Sequence, residues 1–219
     1  VGLALIYTLG VVSTSYLAGL GTALLLNKAF RGRAVFRTLF IVPWALPVVT
    51  GVLIWGVMLD GQTGLINKLL ALVGIQGPDW LLNESTALWS LVVADTYHQF
   101  PVAMVFLLAG LQSIPAELYE AADVDGAGAW QKFRAITLPG VRSVTLITVL
   151  MLSIWAFRRF EVNFLLTNGG PNGATETIVM RIYAQAFERF EFGAAATLGV
   201  ACLVISMVFA LIYLRVERR

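Results

Sequence analysis

Residues Ile114–Pro139, IPAELYEAADVDGAGAWQKFRAITLP, lie between two long apolar stretches, and their reading decides how the rest of the chain is understood. The segment reads as two short helices around a glycine corner. Ser113 can cap the first helix, with Pro115 in its first turn and Glu117 near the positive end of the helix dipole. Ala116, Tyr119, Glu120, Ala121, Ala122 and Asp123 continue it. Gly126 and Gly128 permit a sharp turn, Trp130–Ile136 forms a second helical turn or two, and Pro139 ends it. A small-residue face lets another surface approach closely, and the acidic edge offers acceptors to a basic groove. From the residues alone, this is either a docking helix or an ordinary amphipathic interfacial helix.

Outward from this segment the chain is apolar. Of its 219 residues, 58% are hydrophobic and 13% charged, and the mean hydropathy is +0.81. A soluble domain carries about 25% charged residues, so lipid is the expected solvent. A net charge of +2 with no pooled basic patch argues against nucleic acid as a partner. Cys202 is the single cysteine, so no internal disulfide forms, and one His and one Cys far apart build no metal site. There is no basic leader followed by a small-residue cleavage site.

A membrane-spanning helix needs about 20 mostly apolar residues. Val1–Asn27, Thr38–Leu59 and Phe192–Leu214 meet this without a charge, and two further stretches meet it with polar interruptions. The expectation is an all-α, polytopic bundle forming a single domain over 1–219. Its five helices fall at about 1–27, 37–59, 85–111, 141–166 and 193–214, with a polar loop at 112–140. Lys28, Arg31, Arg33 and Arg37 follow the first span; Lys132, Arg134 and Arg142 flank the third loop; Arg215, Arg218 and Arg219 end the chain. The other two loops hold only Lys68, Arg181 and Arg189. Basic residues concentrate in cytoplasmic loops. The 112–140 loop and the C-terminus are therefore expected in the cytoplasm, and the chain start outside.

Between spans, Leu65–Val73 can form a short surface helix and 177–190 an interfacial one. The Asn168–Gly173 stretch, NGGPNG, is a turn cluster, because Gly and Asn tolerate positive φ. Pro43 and Pro47 inside the second span and Pro101 inside the third remove backbone donors and kink their helices. The carbonyls they free must find partners within the protein.

The spacing Glu120-Ala121-Ala122, three residues, Gly126, nine residues, Ile136, one residue, Leu138-Pro139 resembles the EAA motif of ABC importer permeases, the inner-membrane components of binding-protein-dependent transport systems. FRGRAVFRTLFIVPWALP (residues 30–47), LLAGLQSIP (107–115), LLTNGGP (165–171) and FGAAA (192–196) are similar to the carbohydrate-uptake branch. Among these, LLTNGGP resembles the larger maltose-permease subunit type. The resemblance implies a type I importer core and coupling to an ATPase through Glu120, Ala121, Ala122, Asp123 and Gly126. It implies two ABC ATPase subunits that bind ATP and Mg, no cofactor in this chain, a second homologous permease subunit and an extracellular solute-binding protein. It also implies a bacterial or archaeal cytoplasmic membrane and its lipid. Such relatives begin with at least one more helix, so a helix is expected before Val1.

Ionisable groups at membrane depth are expensive and are functional candidates. Asp95 lies eleven residues past Glu84, roughly 16 Å along a helix, and shares a face with Gln99, with His98 beside it. On the fourth span, Trp155, Arg158, Arg159 and Val162 form a stripe, flanked by Glu161 and Asn163. An aromatic platform beside polar side chains suits a sugar. The resemblance places cargo contacts on these two helices, making Asp95, His98, Gln99, Trp155, Arg158, Arg159 and Asn163 the expected substrate pathway. The maltose type is asparagine-rich where Arg158 and Arg159 stand, so the carry-over is positional and maltose itself is in doubt. Three readings follow: import of a di- or oligosaccharide, import of a non-sugar such as a phosphorylated polyol greeted by Arg158 and Arg159, or a secondary transporter or channel. Inverted repeats would mark the last, and none is visible. Arg159 and Glu161 can instead form a salt-bridged strut. No nucleophile–base pair or phosphate loop points to an enzyme.

Overall fold

The computed structural model describes residues 1–217, and Arg218 and Arg219 of the basic tail lie outside the described residues. Every regular element among them is helical. Three helices are long and apolar enough to cross a membrane: α1 (Gly2–Asn27), α5 (Glu84–Gln112) and α12 (Phe192–Glu217). Two bent pairs qualify when each is taken as one span. The first joins α2 (Arg33–Ala45) to α3 (Val48–Met58). The second joins the segment formed by α7 (Ala129–Lys132), a π-type stretch (Phe133–Thr137) and α8 (Leu138–Gly140) to α9 (Arg142–Phe157). Shorter helices are α4 (Leu65–Leu72), α6 (Ala116–Val124), α10 (Glu161–Thr167) and α11 (Ile178–Tyr183).

Two of the expected spans are broken rather than continuous. The 37–59 span bends by 97° between α2 and α3. Leu46 turns extended, at φ −74° and ψ 142°, as the residue before a proline is pushed to do, and Pro47 then opens α3. Pro43 stays inside α2 without a break. The 141–166 span stops at Phe157 and restarts at Glu161. No proline is responsible. Phe160 instead stacks on Phe164 at 4.9 Å and packs against Tyr183 at 5.1 Å, while the neighbouring Arg159 is drawn to a carboxylate on α5.

The core is the α1–α5 pair, with α9 and the bent α2–α3 segment packed on it. Tyr7, Val11, Ala23 and Leu26 of α1 are buried with Leu91, Ala103, Met104 and Leu107 of α5. A Cβ on Gly19 would lie 2.5 Å from the Ala103 Cβ and 2.9 Å from the Met104 amide nitrogen. The close approach therefore needs glycine, as small residues serve between membrane helices. α12 stands at the periphery, its most apolar window only 11% buried. It leans on α9 and α11 through Phe157, Ile178, Cys202 and Phe209, and leaves Val200, Leu203, Met207 and Leu211 exposed. In water such a face would be an adhesive surface, as expected of a helix that meets lipid or a partner subunit.

The connecting segments have their own anchors. Asn67 on α4 donates to the Gly61 carbonyl at 2.7 Å and accepts from Trp80 Nε1 at 2.6 Å, which ties the 60–80 loop together. The helix expected at 177–190 is α11 followed by a π-type turn over Ala184–Glu188. In the NGGPNG turn, Asn168, Gly169, Asn172 and Gly173 all have positive φ.

Candidate functional site

The loop between α5 and α9 follows the two-helix reading with a change at its start. Ser113 does not cap α6. It ends α5, its hydroxyl donating to the Gly110 carbonyl at 2.8 Å, and Pro115 occupies the position before α6. Gly126 terminates α6 at φ +75°. The Ala127 amide returns to the Ala122 carbonyl at 2.8 Å and the Gly126 amide to Asp123 at 3.1 Å, the double closure of a Schellman cap. A Cβ at Gly126 would meet nothing within 4 Å, so backbone angle, not space, demands the glycine. Gly128 has ordinary extended angles; only Gly126 makes the corner. Lys132 pairs with Asp123 across it at 2.6 Å, and Tyr119 Oη meets Thr137 Oγ1 at 3.0 Å. The rest of α6 is bare. It has no buried residue, Glu120 and Ala121 are exposed, and Val124 is 89% exposed. The helix is thus pre-formed, cross-braced and open along one face.

The second constellation lies within the spans. Tyr7 Oη donates to Asp95 Oδ2 at 2.8 Å and Gln99 Nε2 donates to the same oxygen at 2.9 Å. Arg159 Nε lies 3.0 Å from Asp95 Oδ1. Tyr7, Asp95 and Gln99 are each buried to 2% exposure or less. Oδ2 accepts two hydrogen bonds, while Oδ1 is met by the charge of Arg159 at ion-pair distance without a well-aligned hydrogen bond. Arg159 is thus a strut between the α9–α10 break and α5, with Asp95 as its partner. Glu161, the partner expected from sequence, is exposed and forms no ion pair among the described residues.

In front of this pair is a cleft of about 260 Å³ lined by Trp44, His98, Gln99, Val102, Trp155 and Arg159. His98 Nδ1 lies 3.0 Å from the Pro43 carbonyl oxygen. A carbonyl only accepts, so Nδ1 carries the proton. That carbonyl is the one Pro47 leaves without its helical donor. The histidine therefore closes the α2–α3 break and lines the cleft at once.

Four of the seven expected pathway residues, His98, Gln99, Trp155 and Arg159, meet at this cleft. Asp95 is behind it, fully buried. Arg158 is not on the same stripe, because the helix has ended. It lines a separate groove of about 380 Å³ with Val179, Cys202 and Ser206. Asn163 is buried and donates to the Thr175 carbonyl at 3.3 Å, bracing the NGGPNG turn. Trp44 and Tyr7 escape the sequence reading. Tyr7's one signal is a hydroxyl inside an apolar run, and Trp44's is its place between two prolines. Outside the spans, the Thr63 amide and hydroxyl hold the Asp60 carboxyl below its ordinary range. A hydrogen bond from Arg181 does the same for Glu176.

Comparison with known proteins shows the family. The chain is 35% identical over 207 residues to the trehalose/maltose transport system permease protein MalF of Thermococcus litoralis, covering 94% of this chain and 70% of the relative. It is 33% identical over 211 residues to the sulfoquinovosyl glycerol transport system permease protein SmoG of Agrobacterium fabrum, covering 96% and 68%. In fold it is similar to a chain of a bacterial ABC transporter involved in import of the acidic polysaccharide alginate. There the TM-score is 0.85 and the identity 23%, over 99% of this chain and 78% of that one. Residues 15–219 match the family described as binding-protein-dependent transport system inner membrane component. The family match and these relatives show that the chain is a membrane-spanning permease of the binding-protein-dependent transport system inner membrane component family.

Proposed function

We propose that this chain is one of two homologous permease subunits of an ATP-driven importer, and that it passes a di- or oligosaccharide inward by alternating access. Two partner ATPase subunits bind ATP and Mg and receive α6 in a cleft, so Glu120, Ala121, Ala122, Asp123 and Gly126 transmit their motion. An extracellular solute-binding protein delivers the cargo. The α5–α9 loop and the C-terminus face the cytoplasm of a bacterial or archaeal cell, in line with the basic residues of those segments.

The observation that carries the saccharide reading is the cleft of Trp44, His98, Gln99, Val102, Trp155 and Arg159. Sugars present an apolar C–H face and a rim of hydroxyls. Indole rings match the first, and a few convergent polar groups match the second. The permease named for trehalose and maltose is a relative over most of this chain. The test is ATP-dependent uptake of labelled oligosaccharides into proteoliposomes holding the complete transporter and its solute-binding protein. Uptake that follows the binding protein's saccharide supports the reading; uptake of only non-sugar solutes overturns it.

A further inference from the structure

We infer that the cleft selects an uncharged saccharide and turns acidic ones away; this rests on the saccharide reading above. From sequence, Arg158 and Arg159 are two adjacent cations able to greet an anion. The structure separates them. Arg158 lies in the groove beside Cys202 and Ser206 and takes no part in the cleft. Arg159 lines the cleft, but its charge is already met by Asp95 at 3.0 Å.

Nor can Asp95 readily release it. The carboxylate is fully buried, and its other oxygen is held by Tyr7 from α1 and by Gln99 from α5. His98 is tied to the Pro43 carbonyl, and Trp44, Val102 and Trp155 are uncharged. Around the cleft, then, one guanidinium is matched by one carboxylate. A carboxylate or sulfonate arriving here would be desolvated with no free counter-charge, which is strongly unfavourable. Hydroxyl groups meet the opposite situation. Gln99 Oε1 is buried and has no hydrogen-bond partner among the described residues. Gln99 lines the cleft, so a shift of its side chain would present this acceptor to the cavity, and the guanidinium N–H groups other than Nε are donors. A neutral sugar satisfies both without adding charge. The fold does not impose this choice, since a transporter of the acidic polysaccharide alginate shares it; the side chains do.

The test uses matched pairs: neutral di- to tetrasaccharides, and the same glycans oxidised at C6 to uronic acids. Equilibrium binding is measured on the complete transporter in lipid nanodiscs. The expected result is at least tenfold weaker binding of the uronates. Asp95→Asn, which leaves Arg159 without its counter-charge, is expected to narrow or invert that ratio. The double variant Asp95→Asn/Arg159→Gln, carrying no stranded charge, is expected to prefer the neutral glycan again. Uronates bound as tightly as their neutral partners by the unmodified transporter overturn this inference alone, whatever the yield of the variants. Binding of neither class overturns the saccharide reading, and the inference with it.

Discussion

His98 on α5 donates through Nδ1 to the carbonyl of Pro43, 3.0 Å away, and so supplies the hydrogen bond that Pro47 removes from the second span. A side chain thus stands in for a backbone amide at the sharper of the two bent spans, 97°. His98→Leu is expected to strand that carbonyl at a cost of about 1–3 kcal/mol, read as a lower melting temperature of the purified transporter. Pro47→Ala returns a backbone donor. In that background the same His98→Leu change is expected to cost less than half as much. Equal costs in both backgrounds would show that the carbonyl finds water instead.

Asp95 and Arg159 form a second, independent tie. Removing one member leaves a buried charge alone, at about 3–5 kcal/mol. Arg159→Gln and Asp95→Asn are each expected to reduce assembled complex, and the double variant to recover much of the yield. Glu161→Ala, at an exposed position, is expected to leave yield unchanged. If Glu161→Ala proves as damaging as Arg159→Gln, the assignment of Asp95 as the partner is wrong.

Gly126 is required for its backbone angle, φ +75°. Gly126→Ala is expected to strain the corner by about 1 kcal/mol, and Gly126→Asn by less, since asparagine tolerates this region. Glu120→Lys changes only the open face of α6. Each is expected to leave the subunit inserted but to lower cargo-stimulated ATP hydrolysis, with Asn milder than Ala. Full stimulation by Glu120→Lys in assembled transporter would remove α6 from the coupling route.

The orientation prediction needs no cargo. In a Cys202→Ala background, a cysteine introduced by Gly128→Cys is expected to react with a membrane-impermeant thiol reagent only from the cytoplasmic side. One introduced by Gly74→Cys is expected to react only from outside. Labelling of both from the same side would refute the topology.

The sequence located the long apolar helices because hydropathy is a property of each segment alone. It did not locate the breaks, because these depend on partners. Two prolines signalled a kink in the second span, but neither its 97° size nor the histidine 55 residues away that satisfies the freed carbonyl is written in the segment itself. The break at Arg158–Phe160 has no local signal at all. It arises where Arg159 meets Asp95 and Phe160 meets Phe164 and Tyr183. Reading that stretch as continuous helix put Arg158 and Arg159 on one stripe, whereas they serve different cavities. The α6 corner was legible because its chemistry is local: one glycine, one cap and one short-range ion pair.

The sparse contacts of α12 carry one further consequence. Its uncharged apolar stretch from Phe192 to Leu214 is about 35 Å long at helical rise, against roughly 30 Å of hydrocarbon. The excess must be taken up by tilt or by thickening of the surrounding lipid. Within this chain, Phe157 and Cys202 lie where α12 meets its neighbours. Membrane thickness is therefore expected to bear on this subunit through α12, which meets the end of α9 next to the break that holds Arg159.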